Sequence, residues 1–310
     1  MPPKRLPRFK RAQDPPKIKL TPRDIRLLEL VDQYRFIDSQ MLKALIKLDY
    51  PDSYEDSIKR RLAKLFHNGY LARPIEQVIL RLRDAKYHYI YTLAEDGAEI
   101  LARRLGQDIT RLKWRIGQDE ASYKQIEHMM EVSRFRACLE IALAQRGEPL
   151  KLWKGDGEFT IKIKFTIKTE HQARLLRERL GSTATLGIRP DGFFQLGSNF
   201  YALEIDRGTS GLNYNAKKLL GYFKLLKLMK SKPLQLDSQT ITHFRVITIT
   251  PTLRRLKHLQ EQARLIDDEQ RGYRAFLFAL ETDYDIQEQD RILAPIFRSP
   301  IESDQPISLL

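Results

Sequence analysis

Apolar residues near the start of the chain recur with helical spacing. Leu27, Leu30, Val31 and Tyr34 fall at i, i+3, i+4 and i+7, one face of a helix. Thr21-Pro22-Arg23-Asp24 ahead of them supplies an N-cap, a proline at the first helical position and an acid at the third. Met41, Ala44, Leu45 and Leu48 repeat the spacing behind Asp38-Ser39. Ile58, Leu62, Leu65 and Phe66 repeat it again behind Pro51-Asp52-Ser53, and Asn68-Gly69 supplies a C-cap. Two β-like runs follow, Tyr70 to Arg83 (broken near Pro74) and Tyr87 to Leu93, with Arg83-Asp84-Ala85-Lys86 as a polar turn between them. One more helix runs from Gly97 to Leu105. Three helices and a hairpin give the order of a winged helix-turn-helix, expected over residues 20–105.

Residues 106–118 read as a connector, and a long helix from about Asp119 to Gln145 buries Val132, Phe135, Leu139 and Ala142. An alternating strand, Phe159 to Ile167, turns Lys162, Lys164 and Lys168 away from its apolar residues. After a charged helix near 170–180 comes a hairpin: Leu186 to Leu196, a turn at Gly197-Ser198-Asn199, then Phe200 to Asp206. A helix (Asn213–Lys230), a strand (Phe244–Thr250), a helix to about Leu265 and a strand (Ala275–Leu280) complete the pattern. Helix, three strands, helix, strand predicts a mixed α/β layer with one central sheet over 119–282, α+β overall for the chain. The tail, 283–310, has three prolines and no period and is expected to be irregular.

Charge changes the picture. The chain has 310 residues, with 54 Lys+Arg against 40 Asp+Glu, a net charge of +14. Such an excess points first to nucleic acid, here double-stranded DNA, and second to an anionic membrane surface. Residues 1–19 are basic and proline-rich, either a solvated tail or an arm lying along phosphates. The third helix carries Ser53, Ser57, Lys59, Arg60, Arg61 and Lys64 opposite its apolar stripe. In a winged helix that face enters the major groove, and the turn with Arg83 and Lys86 touches the backbone. A solvated face and a protein-binding module are the alternatives. Cys138, the sole cysteine, excludes an intrachain disulfide and a thiolate zinc cluster. No apolar run reaches the roughly 20 residues of a membrane span, and the basic N-terminus lacks the apolar core of a secretory signal. A cytoplasmic protein that faces nucleic acid is expected.

Three carboxylates carry candidate chemistry. An even hairpin loop sets Asp191 across from Asp206, with Glu204 on the same face; an odd loop separates Asp191 from Glu204. Converging carboxylates repel one another and are relieved by a hard cation, Mg²⁺ or Mn²⁺, which activates water and clamps a phosphate. The alternative is a structural ion network with Arg189, Arg207 or a nearby lysine. Glu127 and Glu131, one turn apart on the long helix, read first as surface acids paired with Arg134 or Lys124 and only second as extra ligands, and His128 reads as a core histidine.

The element order, Pro190-Asp191 and Glu204 together resemble the PD-(D/E)xK nuclease superfamily. An N-terminal winged helix followed by RPDGFF, YALEIDRGT and KKLLGYF looks like the replication-relaxation family of plasmids and mobile elements, over roughly residues 20–282. The resemblance implies a DNA substrate, Mg²⁺ or Mn²⁺ as cofactor, phosphodiester cleavage, and partners among replication or mobilisation proteins; a homodimer would suit a winged helix. It gives Asp191 and Glu204 the metal, with Asp206 assisting. The superfamily's lysine two residues after the glutamate is here Asp206, so Lys217 or Lys218 on the next helix, or Arg207, is expected to supply the missing charge. Without that cation the same fold would grip DNA without cutting it, as a replication accessory or transcriptional regulator. A scaffold that recruits replication proteins through its tail is a third reading.

Overall fold

In the computed structural model, which describes residues 6–83, 88–155, 157–208, 211–266, 274–301 and 305–310, the first helix, α1 (Pro22–Tyr34), is closed by a capping box. The Thr21 hydroxyl accepts from Asp24 N, and the Asp24 carboxylate accepts from Thr21 N at 2.6 Å. The chain divides into two units, Met1–Ala137 and Cys138–Leu310. In the first, α1 is followed by β1 (Ile37–Asp38), α2 (Ser39–Asp49), α3 (Glu55–His67), β2 (Leu71–Ala72), α4 (Gln77–Arg83), β3 (Ile90–Leu93) and α5 (Glu95–Leu105). The strands form an antiparallel sheet in the order β1-β3-β2. Leu27, Val31, Leu42, Leu45, Ile58, Leu62 and Leu65 are all buried. The stripe of α2 runs through Met41, Leu42, Leu45 and Ile46, while Leu48 is exposed.

The first expected β-run is corrected. Only Leu71–Ala72 is strand, and residues 77–83 are the helix α4. The cause is visible at Gln77, whose buried amide donates to the Ile90 carbonyl (3.1 Å) and accepts from Ile90 N (2.9 Å). One side chain thus satisfies the β3 backbone that a longer partner strand would otherwise satisfy. Arg83 ends α4 and is exposed; the rest of the expected turn, including Lys86, lies outside the described residues.

Residues 6–19 form no helix or strand but hold to unit 1. Arg11 donates to the carbonyls of Phe66 (3.3 Å) and Leu71 (3.4 Å), Ala12 N to His67 Nδ1 (3.1 Å), and Asn68 Nδ2 to the Pro16 carbonyl (3.1 Å). The stretch expected to be a free arm is a strap over the end of α3.

The long helix α6 (Tyr123–Gln145) contains the division between the units. The second unit continues with β4 (Leu152–Gly155), β5 (Ile161–Thr166), α7 (Glu170–Leu176), β6 (Thr183–Ile188), β7 (Gly192–Leu196), β8 (Asn199–Ile205), α8 (Leu212–Met229), a small β9–β10 hairpin (Leu234–Leu236, Gln239–Ile241), β11 (Arg245–Thr250), α9 (Leu253–Leu265) and β12 (Phe276–Leu280). The mixed central sheet runs β12-β11-β8-β7-β4, with β11 parallel to β8 and β12, and β7 antiparallel to β8 and β4. One face packs Phe193, Ala202, Val246 and Phe276 with Ala216, Leu220 and Phe223 of α8 and Leu256 and Leu259 of α9.

Two expectations change here. The first arm of the expected hairpin breaks at Pro190, which fixes φ and has no N–H to donate. Its first half, β6, pairs with β5 in a separate ribbon, and only β7 enters the central sheet. The strand expected over 159–167 therefore lies outside that sheet, whose edge is the unanticipated β4. The tail is irregular but packed: Phe278 and Arg298 exchange backbone hydrogen bonds at 2.8 and 2.9 Å, and Tyr201 OH donates to the Leu309 carbonyl at 2.8 Å. Among the described residues no helix is long and apolar enough to cross a membrane.

Asp24 also fixes α3 on α1. It is fully buried and accepts from Arg61 Nε and Nη2, each at 2.5 Å. Burial works to raise its carboxyl, but Arg61 and Thr21 hold it below its ordinary value. Arg61→Ala, which strands a buried acid, should destabilise unit 1 by about 3 kcal/mol in urea denaturation at pH 7. The stabilising contribution of Asp24 is present above its unfolded value of 3.8 and disappears as pH falls through the depressed folded value, so the variant's deficit should shrink in acid.

Candidate functional site

The turn between β7 and β8 sets the site. Leu196 pairs with Asn199, leaving Gly197 and Ser198 as a two-residue loop, and Gly197 takes φ 58°, a conformation open to glycine. The ladder continues to Gly192 opposite Leu203. Asp191 lies one residue before that last pair, and the observed register does not set it opposite Asp206 as expected. The expected even loop is present, but the register is displaced by one pair. Two hydrogen bonds tie Asp191 to β8: its N–H donates to the Leu203 carbonyl (2.9 Å), and its Oδ2 accepts from Ile205 N (2.7 Å). The following residue must be glycine, because a Cβ at 192 would stand 2.7 Å from the Trp153 ring. That ring stacks on Phe194 at 5.5 Å.

Glu204 points to the face covered by α8. Lys218 and Tyr222 lie one helical turn apart on α8 and both reach it. Lys218 Nζ donates to Oε2 at 2.5 Å, and Tyr222 OH donates to Oε1 at 2.6 Å. Burial, aided by Asp191, pushes the Glu204 carboxyl up to about 7 against the pull of Lys218 and Tyr222. Burial works to lower the Lys218 ammonium, but Glu204 and Asp191 outweigh it and hold the amine above its ordinary value. Burial and Glu204 raise the Tyr222 hydroxyl well above its own. Asp191, Glu204 and Lys218 thus form one coupled group with Tyr222 behind it.

Asp206 belongs to a different centre. Its Oδ2 accepts from Arg255 Nε at 2.7 Å and its Oδ1 from Arg255 Nη2 at 3.1 Å. Asn215, Gly208 N and Thr250 also donate to it, at 3.1 to 3.3 Å. The expected convergence of three carboxylates is corrected: among the described residues no three acids, histidines or cysteines group closely enough to hold a metal ion. A guanidinium fork outcompetes the shared site for Asp206 because it satisfies both oxygens at once. Arg207 pairs with Glu281 at 2.6 Å. Lys217 is half-buried beside Lys218 but makes no hydrogen bond to Glu204. Glu131, within unit 1, is buried with Arg134 3.9 Å away. Tyr222 and Arg255 were not singled out in the sequence; for Tyr222 the signal was its i+4 spacing from Lys218.

In unit 1, Lys59, Arg60 and Lys64 stand exposed on α3. Arg60 Nε donates to the Asp56 carbonyl at 3.2 Å, and Ser57 accepts from Arg23 at 3.2 Å. Arg61 turns inward to Asp24, which corrects its expected place among the outward cations. Tyr54, at the start of α3, is 83% exposed. The Arg83 guanidinium lies 5.5 Å from the Tyr123 ring.

A family model described as replication-relaxation matches residues 28–235. No curated protein and no solved structure matches the chain.

The raised Glu204 gives a measurable sign. Between its ordinary value of 4.5 and about 7 the folded state holds a proton that the unfolded state has released, so this group's contribution to stability falls as pH rises through that window. Carbon-13 NMR of labelled glutamate should show one carboxyl titrating near pH 7, absent in Glu204→Gln. Lys218→Met removes a lowering influence and should move that titration higher; an unmoved or lowered midpoint would contradict the coupling.

Proposed function

This chain belongs to the replication-relaxation family, and from that premise we propose that it is a DNA-binding protein of plasmid or mobile-element replication whose second unit cleaves a phosphodiester bond. Unit 1 is read as a winged helix that presents Lys59, Arg60 and Lys64 of α3 to duplex DNA. Unit 2 is read as a PD-(D/E)xK-type domain in which the lysine has moved from strand to helix. The observation that carries the reading is the Asp191–Glu204–Lys218 group: an acid just before β7, an acid on β8 and an ammonium 2.5 Å from the second. The family match spans α3 and all three residues.

The donor set fits a magnesium-type ion. Such an ion takes one or two protein carboxylates and completes its shell with water and phosphate oxygens. Asp191 and Glu204 would hold it; Asp206, saturated by Arg255, would instead tie the end of β8 to α9. When bound, Mg²⁺ or Mn²⁺ supplies Lewis-acid polarisation of the phosphate and a more acidic water. Lys218, whose ammonium lies 2.5 Å from Glu204, would offset the negative charge that develops on the phosphoryl oxygens. Tyr222 keeps its hydrogen bond to Oε1 and holds the Glu204 carboxylate in place.

One observation favours a second reading. Both Glu204 oxygens already have partners, so the group is also a complete structural ion pair, as a non-catalytic accessory or regulator would have. Supercoiled plasmid incubated with Mg²⁺ or Mn²⁺ decides between them. The wild type should nick or linearise it, and Glu204→Gln and Lys218→Met should each slow cleavage by about 10²-fold or more. Identical plasmid profiles for all three proteins would leave the accessory reading. Independently, Lys59→Ala/Arg60→Ala/Lys64→Ala should lower the slope of log affinity against log salt by about 2–3, at roughly 0.9 per phosphate contact.

A further inference from the structure

The β5–β6 ribbon has one face that the proposed function leaves unused. Its inner face is a packing surface: Ile163 and Ile188 belong to the core with α8, and a Cβ on Gly221 of α8 would meet Ile188 at 3.4 Å. A two-stranded ribbon is marginal alone, so this inner contact is what holds it. The outer face is different. Strand alternation puts Lys162, Lys164 and Thr166 on it from β5, and Thr183, Thr185 and Gly187 from β6, all exposed. Lys162 lies opposite Gly187 and Lys164 opposite Thr185. Lys168, exposed, continues the row past the strand end.

No carboxylate interrupts this face. Among the described residues no ion pair joins Lys162, Lys164 or Lys168 to an acid. Lysine on a free strand also guards against edge-to-edge pairing, but the threonines between these lysines add nothing to that. Cations of one sign interleaved with hydroxyls match a different need. Lysine and threonine are both phosphate-contacting side chains, and neither carries sequence information there. Gly187, with nothing within 4 Å of a Cβ, leaves the surface low between them. The positions named carry no exposed large apolar side chain to enter a bilayer, which favours a nucleic-acid backbone over an anionic membrane. The ribbon also leads somewhere: β6 ends at Ile188, and three residues later stands Asp191.

We propose that the outer face of the β5–β6 ribbon is a phosphate track that lays duplex DNA toward Asp191 and Glu204. The proposal rests on the DNA-binding reading above. The test compares the full-length wild type, Lys162→Gln/Lys164→Gln/Lys168→Gln, and the same three positions changed to Arg. Binding to a labelled duplex is followed from 50 to 200 mM salt, with thermal unfolding as a control. The Gln variant should unfold at the wild-type temperature and lose about 2–3 from its log–log salt slope; the Arg variant should keep the wild-type slope. A wild-type slope in the Gln variant would overturn the track while leaving DNA binding intact. A wild type that binds anionic vesicles but no duplex, or binds neither, would overturn the track and the DNA reading together.

Discussion

Side chains on a strand alternate between faces, so the length of one turn decides which groups share a face. In unit 2 that turn is Gly197–Ser198. Two residues there, rather than three, place Glu204 on the side of the sheet that α8 covers, with Asp191, just before β7, close enough to act on it. Phe193 and Ala202, next to them in the same alternation, go into the core on that face. The apolar and acidic residues therefore depend on a single register. A slip of one residue would expose Phe193 as surely as it would separate the carboxylates, so the hydrophobic core enforces the geometry of the site.

The register also explains why the acids divide. Glu204 and Asp206 share a strand face, yet Glu204 lies within the ladder under α8, while Asp206 follows the last β8 residue and meets α9. The first is buried with an ammonium and a phenol; the second is gripped by a guanidinium from two sides. Buried ion pairs are poor sources of net stability, because desolvation offsets much of their attraction, but losing one partner is costly. The same logic holds in unit 1, where Asp24 and Arg61 join α1 to α3.

Much of this was legible in the sequence, and the failures have physical causes. Apolar periodicity located α1, α2, α3 and α6, because each buries a continuous stripe. The even loop could also be read, and Lys218 and Glu204, which the structure brings into contact, were both among the residues singled out. The β7–β8 register could not be pinned, because Gly197-Ser198-Asn199 allows more than one two-residue turn. The alternation through Val78, Leu80 and Leu82 suits a short strand as well as a short helix; the Gln77–Ile90 hydrogen bonds that favour α4 are tertiary. The division of Leu186 to Leu196 between two sheets was signalled by Pro190 but read only as part of a motif. The inward turn of Arg61 and the capture of Asp206 by Arg255 depend on residues 37 and 49 positions away, beyond any local pattern.

Those two captures bear on how a net charge of +14 should be understood. Several arginines face inward on acids and so add nothing to the excess: Arg61 on Asp24, Arg255 on Asp206 and Arg207 on Glu281. A planar fork with several donors suits a buried carboxylate. The outward cations on α3 and on the β5–β6 ribbon are mostly lysines, compact charges that suit a phosphate without fixing its orientation. Lys218 departs from this division, being an inward lysine on a buried acid. If the only task were to neutralise Glu204, an arginine would do it more completely, with two bonds in place of one. A single ammonium bond can be exchanged for another oxygen without dismantling a fork, and that exchange is the property a group needs if it is to serve an ion pair at rest and a phosphate at work.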